Sequence, residues 1–84
     1  GHSPGHQSLL LQLDNSGEVL LASDSVYLDE ILDRNIMPGV FYNREATRQT
    51  INSIKEMRQH GIKVISGHDP QTWAGLRKFP DYYD

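Results

Sequence analysis

The sequence predicts an α/β domain made of a β-hairpin, a short helix, a long helix, a third strand and a C-terminal helix. Three observations support this class. An alternating apolar run at residues 9–13 is followed by a dense turn signal at residues 14–17 and a second apolar run. A helical stretch at residues 44–60 lies between a capping asparagine and a glycine. Residues 69–70 read Asp-Pro directly after a short strand, which is typical of a helix start.

The hairpin is predicted over residues 7–23. Leu9, Leu11 and Leu13 share one face of the first strand, because successive side chains of a strand alternate between faces. The second strand is apolar on both faces from Val19 to Ala22. A strand of that kind is usually covered on both sides, so this hairpin is expected to need partners on each face.

The remaining elements follow from helical spacing and caps. A short helix is predicted within residues 26–32, and Asn43 is predicted to cap the long helix that Gly61 ends. A third strand is expected at residues 62–66. The last helix should begin at Pro70 with Asp69 as its N-cap. Trp73 and the aromatic residues of the tail at 79–83 are expected to pack against the body of the domain.

Composition limits the classes of function. The chain has 84 residues and a net charge of −3, without a basic stripe, so a nucleic-acid partner is not expected. It contains no cysteine, which excludes disulfides and thiolate metal sites and fits a cytoplasmic location. No apolar run reaches the roughly 20 residues that span a bilayer, so the chain is expected to be soluble and to bind no membrane.

Two histidines and one aspartate stand at the predicted strand ends. His2 precedes the first strand in a loop preset by proline and glycine, Asp24 follows the second strand, and His68 follows the third. Imidazole nitrogens and a carboxylate are ligands that suit Zn²⁺. By spacing alone this pattern is weak, and Gly1-His2 is also what an expression-tag remnant would leave.

Three segments resemble the later metal-binding motifs of the metallo-β-lactamase superfamily, most closely the N-acyl homoserine lactone lactonases. They are Gly1-His2-Ser3-Pro4-Gly5-His6-Gln7-Ser8, Leu20-Leu21-Ala22-Ser23-Asp24-Ser25-Val26-Tyr27 and Ser66-Gly67-His68-Asp69. The resemblance covers nearly the whole chain. It implies the C-terminal half of a four-layered αβ/βα fold.

The resemblance also implies roles for single residues. His2 matches the histidine on one metal, Asp24 the carboxylate that bridges both metals, and His68 the histidine on the second metal. Tyr27 matches the active-site tyrosine, and His6 is expected to support the loop. The implied cofactors are two divalent metal ions, with Zn²⁺ expected, and the implied reaction is opening of a lactone ring by a shared hydroxide. Asp24 is expected to carry the proton to the leaving alkoxide.

A substrate loop is expected around Pro38-Gly39. Ile36, Met37, Val40 and Phe41 are candidates for contacts with an acyl chain, although ordinary packing explains them equally well. Asp69 is expected to support the site in addition to capping its helix.

The superfamily's His-x-His-x-Asp-His run is absent from this chain. The expectation is therefore that residues 1–84 form the C-terminal half of a single domain, with a partner N-terminal half that carries the other ligands. A homodimer stays open as an assembly. Two alternatives to the lactonase remain: a related hydrolase acting on a phosphoester or thioester, and a non-catalytic fragment.

Overall fold

The computed structural model describes all residues from 1 to 84. Three strands and three helices follow one another in the predicted order. Their bounds are β1 Leu9–Leu13, β2 Gly17–Ser23, α1 Asp29–Arg34, α2 Arg44–Gln59, β3 Lys63–Ser66 and α3 Pro70–Gly75. No helix has the length and apolar character needed to cross a membrane.

The sheet has the order β1-β2-β3, with β1 antiparallel and β3 parallel to the central strand β2. The hairpin prediction is confirmed, with Leu9 opposite Leu21 and Leu13 opposite Gly17. Because β2 and β3 are parallel, their carboxyl ends lie at the same edge, where Ser23 pairs with Ser66. This edge brings the segments after both strands together.

The core lies between the sheet and the helices. Leu20 and Ala22 project from β2 toward α2, where Ile51 and Ile54 are each 4% exposed. The amphipathic pattern of α2 accounts for this contact, since residues three and four apart lie on one helical face. Val26, Ile31 and Leu32 complete the cluster.

The opposite face of the sheet is covered only in part. Val19 is 3% exposed, but Leu9 and Leu21 are 55% and 37% exposed. The C-terminal residues reach back to the hairpin turn, where the carbonyl of Asp84 accepts from the N–H groups of Asn15 and Ser16. This partly open surface is consistent with the prediction that the hairpin needs packing partners on each of its faces.

The predicted helix caps are confirmed. Asn43 Oδ1 accepts from the N–H of Ala46 at 2.8 Å, and Asp69 Oδ1 accepts from Gln71 and Thr72. These bonds satisfy N–H groups that a helix start leaves free.

Two local predictions were wrong. The first short helix begins only at Asp29, because Leu28 has extended backbone angles, so Tyr27 lies in the preceding loop and not on a helical turn. The aromatic residues near the C-terminus were expected to pack against the body, yet Trp73 and Phe79 are 50% and 97% exposed. Trp73 lies in α3, a helix that buries none of its residues.

Candidate functional site

His2 and His68 meet on the two oxygens of one carboxylate. His2 Nε2 lies 3.4 Å from Asp24 Oδ2, and His68 Nε2 lies 2.7 Å from Asp24 Oδ1. The His2 side chain is 20% exposed and that of His68 is 63% exposed. The structure therefore brings together three residues that stand 22 and 44 positions apart in sequence.

The sheet edge explains why Asp24 and His68 meet. β2 ends at Ser23, whose positive φ of 51° turns the chain away from the sheet and presents Asp24. After β3, the N–H of Gly67 donates to Val26 O at 2.9 Å and the N–H of His68 donates to Tyr27 O at 3.0 Å. The loop that carries His68 is thereby tied to the loop that follows Asp24.

Gly67 permits this close approach. A Cβ atom at this position would lie 2.8 Å from the carbonyl carbon of Ser23, which belongs to the backbone and cannot rotate away as a flexible side chain could. A glycine is therefore required where the two loops cross.

The opening segment is built into the fold. The carbonyl of Gly1 accepts from the N–H groups of Tyr42 and Asn43 at 2.9 and 3.0 Å, and Tyr42 also donates to His2 O. These contacts anchor His2 against the start of α2. Such integration is not expected of an expression-tag remnant.

His6 holds the turn at Asp24. The N–H of Asp24 donates to His6 Nε2 at 3.2 Å, so this nitrogen is unprotonated and Nδ1 carries the proton of the neutral ring. Nδ1 then donates to Ser25 Oγ at 3.2 Å. With both ring nitrogens used in this way, His6 supports the backbone of Asp24 and presents no free ligand atom.

Tyr27 lies between the two histidines of the cluster. Its hydroxyl is 3.1 Å from His2 Nδ1, and its ring packs edge to face against both His2 and His68, with centroid distances of 5.7 and 5.2 Å. The contact at Nδ1 leaves the other nitrogen of His2 directed at Asp24.

Two carboxyl groups of the region have lowered pKa values. The hydrogen bond with His68 lowers the pKa of Asp24 most, although partial burial opposes it, and the neighbouring imidazoles act in the same direction as that bond. The N–H of Asp29 lowers the pKa of Asp69, with smaller effects from the N–H groups of Thr72 and Gln71. Both groups are therefore carboxylates at neutral pH.

Sequence reasoning missed Asp29, Ser66 and Thr72, which support Asp69. Asp29 donates its N–H to Asp69 Oδ2 at 2.9 Å and accepts hydrogen bonds from the hydroxyls of Ser66 and Thr72. These partners are 37 to 43 residues from Asp29, so no local motif reveals them.

The expected substrate loop falls into two parts. Ile36 and Met37 border a small cavity of about 210 Å³ whose lining includes none of the three clustered residues. Val40 and Phe41 are 65% and 38% exposed. Phe41 directly precedes Tyr42, which bonds to the His2 segment, so this end of the loop adjoins the site.

A larger open groove of about 560 Å³ begins at Asp24 and His68. Its apolar lining comes from Leu21, Ile65, Trp73, Leu76 and Tyr83. Sequence reasoning did not assign Trp73 to this surface, because the residue was expected to pack against the body.

The donor atoms are of types that divalent metal ions take as ligands. Two ligands held at 2.0 to 2.2 Å from one ion stand roughly 3 Å apart, and the two histidine–aspartate distances lie close to that separation. A ligating histidine typically uses its other nitrogen in a hydrogen bond, as His2 does with Tyr27. No group of three or more His, Asp or Glu residues is arranged around one ion position. Each oxygen of Asp24 faces only one imidazole, so His2 and His68 do not converge on one point.

The chain is similar to several known lactonases. It is 38% identical to the N-acyl homoserine lactonase AttM of Rhizobium radiobacter over 87 residues, which cover 99% of this chain and 32% of the relative. It is 36% identical to the N-acyl homoserine lactonase AiiA of Bacillus thuringiensis subsp. kurstaki, with 98% of this chain and 33% of the relative covered. No protein-family model matches the chain.

Solved structures agree with these relatives. An N-acyl homoserine lactone hydrolase with the product N-hexanoyl-L-homoserine bound at its catalytic metal centre superposes with a TM-score of 0.85 and 34% identity. The match covers 100% of this chain and 33% of that one.

The fold of this chain thus matches that of solved N-acyl homoserine lactone hydrolases over its whole length. The chain is homologous to N-acyl homoserine lactonases, and it spans about a third of the length of the curated relatives it matches. The predicted resemblance and the predicted α/β fold are thus confirmed.

Proposed function

We propose that this chain supplies part of the dimetal centre of a hydrolase that opens the lactone ring of N-acyl homoserine lactones. The observation that carries the proposal is the arrangement at Asp24, whose two oxygens each face a different imidazole. A carboxylate shared in this way suits a bridge between two ions. Homology to lactonases over nearly the whole chain supports the substrate class.

The proposed ligands divide between the two ions. His2 and Asp24 would hold one ion, and His68 and Asp24 the other. Bound divalent ions would supply an activated water at neutral pH and polarise the ester carbonyl. Zn²⁺ is the expected metal, although imidazole and carboxylate ligands also accept Mn²⁺, Fe²⁺ and Co²⁺.

Two ligands for each ion are fewer than the three protein ligands that catalytic zinc sites usually have. The remaining donors are proposed to come from polypeptide outside residues 1–84. The share of the relatives that the chain covers is consistent with this requirement. In this proposal the chain forms the C-terminal half of one metallo-β-lactamase domain.

Tyr27 is proposed to assist the reacting carbonyl. When His2 Nε2 acts as a ligand, the ring's proton is on Nδ1, so Nδ1–H donates to the Tyr27 oxygen 3.1 Å away. The phenol O–H then stays free to donate to a carbonyl oxygen or to a developing oxyanion.

Asp24 is proposed to move the proton. Its carboxylate is ionised at neutral pH, as its lowered pKa requires, and it lies beside both imidazoles. It can therefore accept a proton from attacking water and pass it to the leaving alkoxide.

Val40 and Phe41 are proposed to contact the acyl chain, together with Ile36 and Met37 from the preceding part of the loop.

The proposal is tested with a chimera in which residues 1–84 replace the matched third of the Rhizobium radiobacter AttM lactonase. We expect Zn²⁺ binding and opening of N-acyl homoserine lactones, and no comparable activity on phosphoesters or thioesters. The matched control carries His68→Ala in the same chimera. A folded, metal-loaded chimera that prefers a phosphoester or thioester, or that hydrolyses nothing, would contradict the proposed substrate class.

A further inference from the structure

The carboxylate of Asp29 joins two segments that carry site residues. Asp29 Oδ1 accepts from the hydroxyl of Ser66, and Asp29 Oδ2 accepts from the hydroxyl of Thr72 at 2.9 Å. Its own N–H donates to Asp69 Oδ2 at 2.9 Å. Asp29 thus contacts Ser66 in β3, Asp69 directly after His68, and Thr72 in α3.

These bonds extend a backbone connection between the same two segments. The N–H of Gly67 donates to Val26 O, and the N–H of His68 donates to Tyr27 O. Together with the three bonds of Asp29, they tie residues 66–72 to residues 26–29. The side chains of His68 and Tyr27 share an edge-to-face ring contact but no hydrogen bond, so this connection is the hydrogen-bonded link that sets their relative position.

An acidic residue in the first turn of a helix has an ordinary explanation, since negative charge there is favoured by the helix dipole. That effect needs no specific partner. Glu30, in the same turn, illustrates it: its side chain is 50% exposed and pairs with Arg34 of the same helix. Asp29 differs because both of its oxygens bond to residues outside α1, one of which, Ser66, is fully buried.

We propose that Asp29 is a positioning residue that holds His68 in register with Tyr27 and Asp24. This inference deepens the proposed function and rests on it for the role of His68 as a ligand. The physical reason is that a ligand on a loop must be oriented before the ion binds, and outer hydrogen bonds supply that orientation.

The test is made in the lactonase chimera and compares Asp29→Ala with Glu30→Ala. The second variant removes the neighbouring charge but no bond to residues 66–72. The first measurement is hydrogen exchange of the His68 amide in metal-free protein, followed by NMR. The second is Zn²⁺ affinity, measured by competition with a chromophoric chelator. For Asp29→Ala we expect faster exchange at His68 and Zn²⁺ binding weakened about 10-fold. For Glu30→Ala we expect changes within about twofold.

Two further variants separate positioning from general stability. Asp29→Asn keeps the shape and offers an amide that can pair with both hydroxyls, since hydroxyls either donate or accept. Its exchange rate at His68 and its Zn²⁺ affinity should therefore lie close to those of the unaltered chimera. Thr72→Val removes one bond to Asp29 with little change of volume, and it should accelerate exchange at His68 even if Asp29→Ala fails to fold.

The two measurements separate failure of the positioning role of Asp29 from failure of the proposed function. If the unaltered chimera binds no Zn²⁺, the proposed function fails, while exchange at His68 still decides whether Asp29 positions that loop. The positioning role is overturned if Thr72→Val and Asp29→Ala match Glu30→Ala in both measurements. It is also overturned if Asp29→Asn accelerates exchange at His68 and weakens Zn²⁺ binding as much as Asp29→Ala does.

Discussion

The hydroxyl of Tyr27 lies 3.1 Å from Nδ1 of His2, on the opposite side of the imidazole from Asp24. This contact fixes which nitrogen of His2 faces the carboxylate. It also means that Tyr27 has two separable tasks in the proposed site, orienting His2 and donating a hydrogen bond to substrate.

Tyr27→Phe removes the hydroxyl while it keeps the ring between the two histidines. In the metal-loaded lactonase chimera we expect turnover to fall roughly 100-fold or more, as for loss of one oxyanion donor, with two metals retained. Steady-state kinetics and metal analysis of the same sample check this. Tyr42→Phe is the control, since its side chain is 73% exposed. Equal turnover of the two variants would limit Tyr27 to packing.

Asp24→Ala removes the carboxylate that both imidazoles face. We expect at least one metal ion to be lost from the chimera, because each proposed ion would then keep a single ligand from this chain. Asp33→Ala is the matched control, since Asp33 pairs with Arg58 on the surface. Metal content measured after dialysis is the readout. Retention of both ions by Asp24→Ala would argue against the bridging role.

Gly67→Ala tests the crossing of the two loops. The added methyl group meets the backbone of Ser23, so we expect a loss of about 1 to 3 kcal/mol in the free energy of unfolding. Gly75→Ala is the control, because nothing lies within 4 Å of a Cβ atom there. Chemical denaturation of both variants measures the difference. A Gly67→Ala protein as stable as Gly75→Ala would show that the loops can separate without cost.

Glu45→Gln tests an ion pair at the start of α2. The hydrogen bond from Arg48 lowers the pKa of Glu45 below its usual 4.5, with a smaller contribution from Gln49. A lowered folded-state pKa contributes stability above the unfolded value, and that stability is lost as the pH falls through the folded value. We therefore expect the variant to melt lower than the unaltered chain at pH 7. The two melting temperatures should converge at acidic pH.

The control for Glu45 is Glu56→Gln on the same helix, because Glu56 forms none of the ion pairs of the chain. Its melting temperature should show no comparable convergence on acidification. A melting difference for Glu45→Gln that stays constant from pH 7 to pH 3 would exclude the ion pair as its source.

The order of the elements and most of their ends, the start of α1 excepted, were determined by the sequence alone. The hairpin turn, the caps at Asn43 and Asp69, and the glycine after α2 are local signals, since each acts on backbone groups within a few residues. The candidate residues His2, Asp24 and His68 could also be identified from the sequence, because each stands in a short motif that resembles a known family. Local chemistry and motif likeness need no knowledge of the tertiary arrangement.

Only the tertiary structure decided how these residues meet. The parallel pairing of β2 with β3 places Asp24 beside His68. The bonds from Tyr42 and Asn43, just before α2, hold the opening segment so that His2 lies at the other carboxylate oxygen. Asp29 and the exposed Trp73 were missed for the same physical reason. Their roles depend on which surfaces are left open and on partners about 40 residues away, and a one-dimensional pattern of residues does not record those contacts.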